Sequence, residues 1–316
     1  MTVLNALEHK RTRYPNLVNP SIVIVDALRW QTDWDNTDGN YSVDTSKTGE
    51  EVFISWGDGT RGRGDDVHNY ADDSIKKIKI TSSDGFSGLL MITSGFKKGI
   101  GTLPIPNGCS SLVEYSFPGN SFTGSIPSFS DVLTIETLRL NDGNQLTGTI
   151  PTFAACTTLK LIDLRGNLLS GTLPSFAACT ALGKFYVEDN NLTGDLPTFN
   201  SCTLLKEFLC GDNSFSGAFP TFAACTILEM CHGQNSGFTS YTTGCFSTQK
   251  SLASIKLHTN SWNTANVDAC LADLVSSLGG GRVTCTVELN GVGMAAPSSL
   301  TDHNTLEAAG WTVDVN

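Results

Sequence analysis

The sequence predicts an α/β solenoid, an array of stacked 23-residue coils with a small β module before it and an α/β cap after it. Three observations predict this. A Gly-x-Ile-Pro-like phrase returns at a near-constant period, an LxxLxL phrase follows it each time, and helical spacing of apolar residues begins only after the last repeat. Of 316 residues, 40% are hydrophobic and 16% charged, which supports an ordered core and not a disordered tail.

The period comes first. "GTIPTFAACTTL" at 148–159 is repeated almost letter for letter as "GTLPSFAACTAL" at 171–182. Pro104, Pro127, Pro151, Pro174, Pro197 and Pro220 stand 23, 24, 23, 23 and 23 residues apart, with the extra residue in "NDGNQL". Three inner repeats read Leu159, Ile162, Leu164, Asn167; Leu182, Phe185, Val187, Asn190; and Leu205, Phe208, Cys210, Asn213. Leu112, Tyr115, Phe117, Asn120 and Leu252, Ile255, Leu257, Asn260 flank them; Asn144 belongs to the same column. In the repeat with Leu228, Cys231 and Gly233, Asn235 reads as the ladder residue slipped by one.

Each column has a physical reason. Alternation in LxL is a short strand with one face buried. Asn follows where the chain leaves the strand, and its amide can pair turn groups that would otherwise be buried alone. Gly permits the return turn, and Pro fixes extended backbone without needing a donor. One coil cannot bury its own apolar side, whereas stacked coils bury a continuous core. Cys109, Cys156, Cys179, Cys202 and Cys225 fall in one column, so thiols filling small buried slots are expected in preference to a disulfide framework.

The phrase "LTGTIPTFAACTTLKLIDLRGN" resembles the plant-type leucine-rich repeat, LxGxIPxxhxxhxxLxxLxLxxNxh, over roughly residues 101–262. The resemblance implies a leucine-rich repeat solenoid at 86–262 that binds partners on a concave face. It departs from plant receptors in lacking a paired-cysteine cap and a kinase, and looks closer to bacterial and viral arrays.

The ends have other textures. In "EVFISWGDGTRGRGDDVHNYADDSIKKIKI", Trp56, Gly57, Asp58, Gly59, His68 and Tyr70 resemble the pattern of PKD-like β modules of surface and virion proteins. Residues 1–85 are therefore expected to form a β module for attachment, although Ile75, Ile78 and Ile80 also read as a first repeat-like strand. "NPSIVIVDALRW" reads as an edge strand or as an arm docking by strand addition. At 263–316, Val267, Cys270, Leu271, Leu274, Val275 and Leu278 have helical spacing, with Asn263 or Thr264 as cap. "RVTCTVELNG" then alternates, "SSLTDHNTLEAAG" reads as a second capped helix and "WTVDVN" as a last strand. This ending resembles repeat-like units of bacterial and phage structural proteins.

Function classes narrow by chemistry. The five histidines are scattered, and no GxSxG, HExxH or Gly-rich loop before a helix is present, so no catalytic residue and no cofactor is expected. Asp33, Asp35 and Asp38 fail the EF-hand spacing, and a polar turn at 33–40 is the better reading, so no metal is expected. A formal charge of −11 argues against nucleic acid, and no apolar stretch nears the roughly 20 residues of a membrane span. The start does not read as a secretory signal.

What remains is a face. Ser116, Arg139, Asp163, Tyr186, Leu209, His232 and Lys256 fall on the strand side away from the core, with Arg165, Glu188 and His258 beside them. They vary while the core columns repeat, as a binding surface or an unconstrained one would; Tyr186, Leu209 and Arg139 are the preferred anchors. With these resemblances, the expectation is a non-enzymatic phage virion protein, a capsid decoration or tail fibre. Its partners would be capsid or tail proteins and a host surface protein or glycan, and it would be multimeric through the particle. The alternatives are a bacterial cell-surface adhesion protein and an intracellular scaffold.

Overall fold

Each LxL phrase forms a strand of three residues, and these strands lie side by side in one long sheet. A computed structural model gives the architecture. It describes residues 109–278 and 284–316, Thr102, Leu103 and Pro106 singly, and the backbone of the strands between 22 and 102. The sheet's strands are β1 (Asn40–Asp44), β2 (Val67–Asn69), β3 (Met91–Ser94), β4 (Glu114–Ser116), β5 (Thr137–Arg139) and β6 (Leu161–Asp163). They continue with β7 (Lys184–Tyr186), β8 (Glu207–Leu209), β9 (Met230–His232), β10 (Ser254–Lys256), β11 (Thr286–Leu289) and β12 (Thr312–Val315). From β3 to β12 all pair in parallel and in sequence order. Leu161 pairs with Lys184, Lys184 with Glu207 and Glu207 with Met230, each step being 23 residues; Thr137 to Leu161 takes 24. Shorter strands such as Ser170–Gly171, Asn191–Asp195 and Ser214–Ser216 pair in parallel on the return side of the coils.

The middle residue of each repeat strand points inward. Tyr115, Leu138, Ile162, Phe185, Phe208, Cys231 and Ile255 are fully buried. Against them stands a spine of rings, Phe129, Phe153, Phe176, Phe199 and Phe222, with centroids 6.0, 6.1, 5.6 and 5.9 Å apart. Three residues past each ring is a tight turn holding the cysteine column. There the Sγ of Cys179, Cys202 and Cys225 points at the carbonyls of Phe153, Phe176 and Phe199, at 3.6–3.7 Å. Val132 and Gln249 make the same backbone turn in the coils that lack the cysteine. Gln249 Nε2 donates to Phe222 O at 2.6 Å, in the manner of the thiols. All ten cysteines are buried and free, and burial pushes Cys109, Cys179 and Cys202 up to about 12 and Cys225 to about 11.

Asparagine ties the coils together. Asn167 Oδ1 accepts from Leu146 N at 3.1 Å, while its Nδ2 donates to Leu140 O at 2.9 Å and Leu164 O at 3.0 Å. Asn144, Asn190 and Asn213 repeat this pattern one coil apart. Asn120 donates to Pro118 O at 3.0 Å. Just before the ladder residue the backbone is left-handed, with Asp189 and Asp212 at φ 54° and Asn235 at 47°. Asp and Asn tolerate that region better than other side chains. This corrects one assignment. Asn235 does not sit in the ladder; Ser236 does, fully buried, its Oγ donating to Cys210 O at 3.2 Å and Gln234 O at 3.0 Å. The turn needs its left-handed residue one position earlier, and a hydroxyl suffices behind it.

The ends join the same sheet. β1 pairs antiparallel with β2 and β3. The strand Lys79–Ser82, which holds Ile80, pairs antiparallel with Val52–Ser55 and Ile22–Val23 in a separate four-stranded sheet, so it is not an array strand. Ile22–Val23 is an edge of that sheet, as read for the arm. Trp56, Gly57, Asp58, Gly59, Tyr70 and the 33–38 turn lie outside the described residues; of His68 only the strand backbone, opposite Tyr41, is described. After β10, helix α1 (Thr264–Ser277) is capped by Asn263, whose side chain accepts from Asn266 N at 3.0 Å. Helix α2 (Thr301–Ala308) follows β11; Leu300 supplies no side-chain cap, so the expected second cap is absent at that position. β11 and β12 extend the sheet in parallel.

Replacing Asn167 by Ala strands one buried N–H and two carbonyls, each costing about 1–3 kcal/mol. Urea denaturation is expected to show a loss of about 3 kcal/mol or more, while Asn191→Ala, on the exposed neighbour, stays within about 0.5 kcal/mol.

Candidate functional site

Residues on either side of each buried strand centre project from the sheet away from the core. Register places Ser116, Arg139, Asp163, Tyr186, Leu209, His232, Lys256 and Glu288 opposite one another in sequence, so the predicted column is one continuous row. A parallel row runs Glu114, Thr137, Leu161, Lys184, Glu207, Met230 and Ser254. Arg165, Glu188 and His258 sit two positions beyond the first row, where the strand gives way to the turn.

The middle of this face is a web of mutual contacts. Arg165 grips Asp163 with Nε to Oδ1 at 2.9 Å and Nη2 to Oδ2 at 2.8 Å. Its guanidinium also lies over the Tyr186 ring, 4.8 Å from the centroid. The Tyr186 hydroxyl donates to Glu207 Oε2, and Lys184 Nζ meets Glu207 Oε1 at 2.7 Å. Burial alone would raise Glu207, but its bonds to Lys184 and Tyr186 win and hold it below the usual range. Burial, then Glu207, pushes the Tyr186 hydroxyl up, so it stays a donor. Glu188 is raised by burial against the pull of Gln234 and Arg165. Gln234 reaches it across Gly211, where an added Cβ would come within 2.3 Å of the glutamine amide.

Toward β10 and β11, His232 Nε2 is 2.8 Å from Ser254 Oγ. Burial, then Lys256, lowers His232 to about 4, so it is neutral at pH 7. Lys256 and His258 both approach Glu288, at 3.1 and 3.5 Å. Along the entry edge Lys160 pairs with Glu136 at 2.8 Å and Lys206 with Glu229 at 3.1 Å.

The predicted anchors thus separate. Tyr186 and Leu209 are each only 8% exposed, whereas Arg139 is exposed. The cross-coil partners Lys184, Glu207, Gln234 and Glu288 were missed. The 23-residue separation of Lys184 and Glu207 signals their contact, but the reach of Gln234 over Gly211 leaves no spacing to find. Among the described residues no three His, Cys, Asp or Glu side chains gather as a metal site, and no helix is long and apolar enough to cross a membrane.

No protein-family profile matches the chain, and no curated protein matches it. Solved structures do resemble it. A TDR receptor is similar over 52% of this chain and 33% of its own, at 25% identity and TM-score 0.42. The ectodomain of the plant receptor kinase GASSHO1/SCHENGEN3 from Arabidopsis thaliana, in complex with CASPARIAN STRIP INTEGRITY FACTOR 2, is similar over 68% and 29%, at 17% identity and TM-score 0.48. A plant ice-binding protein is similar over 69% of each chain, at 18% identity and TM-score 0.46. The chain spans about a third of the two receptors it matches. The solenoid assignment rests on the chain's own strand pairing.

His232 gives a pH test with a definite sign. Its native pKa lies below the ordinary value near 6.5, so between about 6.5 and 4 the unfolded chain binds a proton that the native chain does not. Its contribution is therefore present above that window and lost as pH falls through it. Denaturation midpoints at pH 7 and 4.5 should converge between wild type and His232→Gln, which keeps a partner for Ser254; an unchanged gap would show that His232 titrates normally.

Proposed function

We propose that this chain is a non-enzymatic binding protein and that the outward face of its long sheet receives a protein partner. The observation that carries this is the row register. The core columns repeat from coil to coil, while the outward rows change residue type on a continuous, rigidly spaced surface. Solenoid faces of this kind suit extended contact. A photo-crosslinking amino acid at Leu161, Lys184 or Met230 is expected to trap one defined protein in the source cell, with none trapped from Ser175 or Ser201, exposed on the return side. Equal trapping from both sides would remove this reading.

The setting proposed for that face is a phage particle, as capsid decoration or tail fibre, assembled in the host cytoplasm and attached through residues 1–85. It is supported by the resemblance of both ends to modules of virion and surface proteins, and by ten thiols all buried and unpaired, as suits assembly in a reducing compartment. Sedimentation of source lysate with mass spectrometry decides. Stoichiometric presence in the particle fraction supports a virion protein, and a soluble or envelope-bound pool replaces it with a scaffold or a cell-surface adhesion protein.

A further inference from the structure

We propose that Arg139 and Glu114 form the recognition pair of the outward face, taking an extended segment of a partner protein that carries an acidic and a basic side chain close together. This rests on the binding reading above and narrows it to β4 and β5.

The charges of the face are almost all spoken for. Lys160, Lys184, Lys206 and Lys256 each hold a glutamate of an adjoining coil, and Arg165 holds Asp163. Lys250, elsewhere, donates to carbonyls at the end of α1. Among the described side chains Arg139 is the one lysine or arginine that holds nothing, and it is exposed.

Its isolation has a cause. Asp163, next in its row, is already gripped by both prongs of Arg165, and Glu136, three residues earlier, is taken by Lys160. Glu114 pairs in register with Thr137, so it stands one strand over and two positions back from Arg139. Strand spacing and rise put their Cα atoms about 8 Å apart, and no ion pair forms between them. Two opposite charges are thus held side by side without satisfying each other.

That arrangement selects a partner. To use a paired charge, a ligand must first break the existing pair; Arg139 and Glu114 give up only water. A guanidinium fork suits a carboxylate taken two-pronged. Glu114 nearby opposes a phosphate or sulfate dianion and favours a cation. The chain's net charge of −11 repels a wholly acidic partner at long range, so a segment of mixed sign fits both the near and the far field. The parallel pairing of β4 with β3 and β5 fixes the backbone beneath both residues, so little order need be gained on binding.

The test uses a random-sequence peptide display library panned on the full chain. Synthetic copies of the enriched peptides are then titrated by fluorescence anisotropy against wild type, Arg139→Ala, Glu114→Gln and Lys184→Ala. Enriched peptides should carry Asp or Glu with Lys or Arg close in sequence. Arg139→Ala should weaken them about ten-fold or more, and Lys184→Ala by less than about two-fold. Arg139→Glu should recover binding to a peptide whose acidic residue is changed to Lys. Unchanged affinity for Arg139→Ala overturns the proposal. If binding is then lost in Lys184→Ala, the outward face remains the site and only the assignment to Arg139 falls. If neither substitution matters, or no peptide is enriched, both readings fall.

Discussion

An amide side chain that bonds backbone atoms on two neighbouring coils is the constraint on which the rest of this structure depends. A coil of 23 residues must leave its strand, cross the core and return, and every crossing exposes peptide groups that the next coil covers. Unpaired, those groups would cancel much of what burial contributes. The ladder from Asn120 to Asn213, continued by Ser236 and Asn260, pairs them at each step. Because one end of each amide reaches the preceding coil, the bond also sets where that coil lies. Strand spacing, ring stacking and thiol packing follow from that repeat distance.

Ring and thiol columns are consequences of it. Successive Phe rings at 5.6–6.1 Å fill the core at the pitch that the strands impose. The cysteine slot is small and faces a carbonyl, so it takes a thiol, and it also admits Val132 and the longer Gln249 where neighbours adjust. What is conserved from coil to coil is a volume and an acceptor, and the thiol's reactivity plays no part in it.

Much of this was legible because a repeat compares a sequence with itself. Proline spacing located the coils, LxL located the strands, and Asn167, Asn190 and Asn213 located the turns. Legibility failed where a residue's partner is not one period away. Asn235 was placed in the ladder because the pattern asks for asparagine, whereas the turn asks for a left-handed residue followed by any small hydrogen-bonding group. On the outward face, sequence put Arg139, Tyr186 and Leu209 in the correct row but could not rank them. Burial of Tyr186 depends on Arg165 folding over it from two positions beyond the next strand back, and that contact has no signature in spacing.

The same contacts decide what the face can offer. Core columns are held constant by packing, so any differentiation between coils has to occur on the outward rows. From β6 to β11 those rows have turned inward on themselves: Arg165 serves Asp163, Lys184 and Tyr186 serve Glu207, and Lys256 serves Glu288. Exposed ion pairs of this kind contribute little stability, about 0–1 kcal/mol each. Their larger effect is to fix rotamers and to leave few free charges. A face organised this way is well defined in shape and nearly neutral in short-range demand. Its selectivity therefore falls to the positions left out of the web, and charge pairing between coils, weak as it is for folding, determines where on the solenoid recognition can occur.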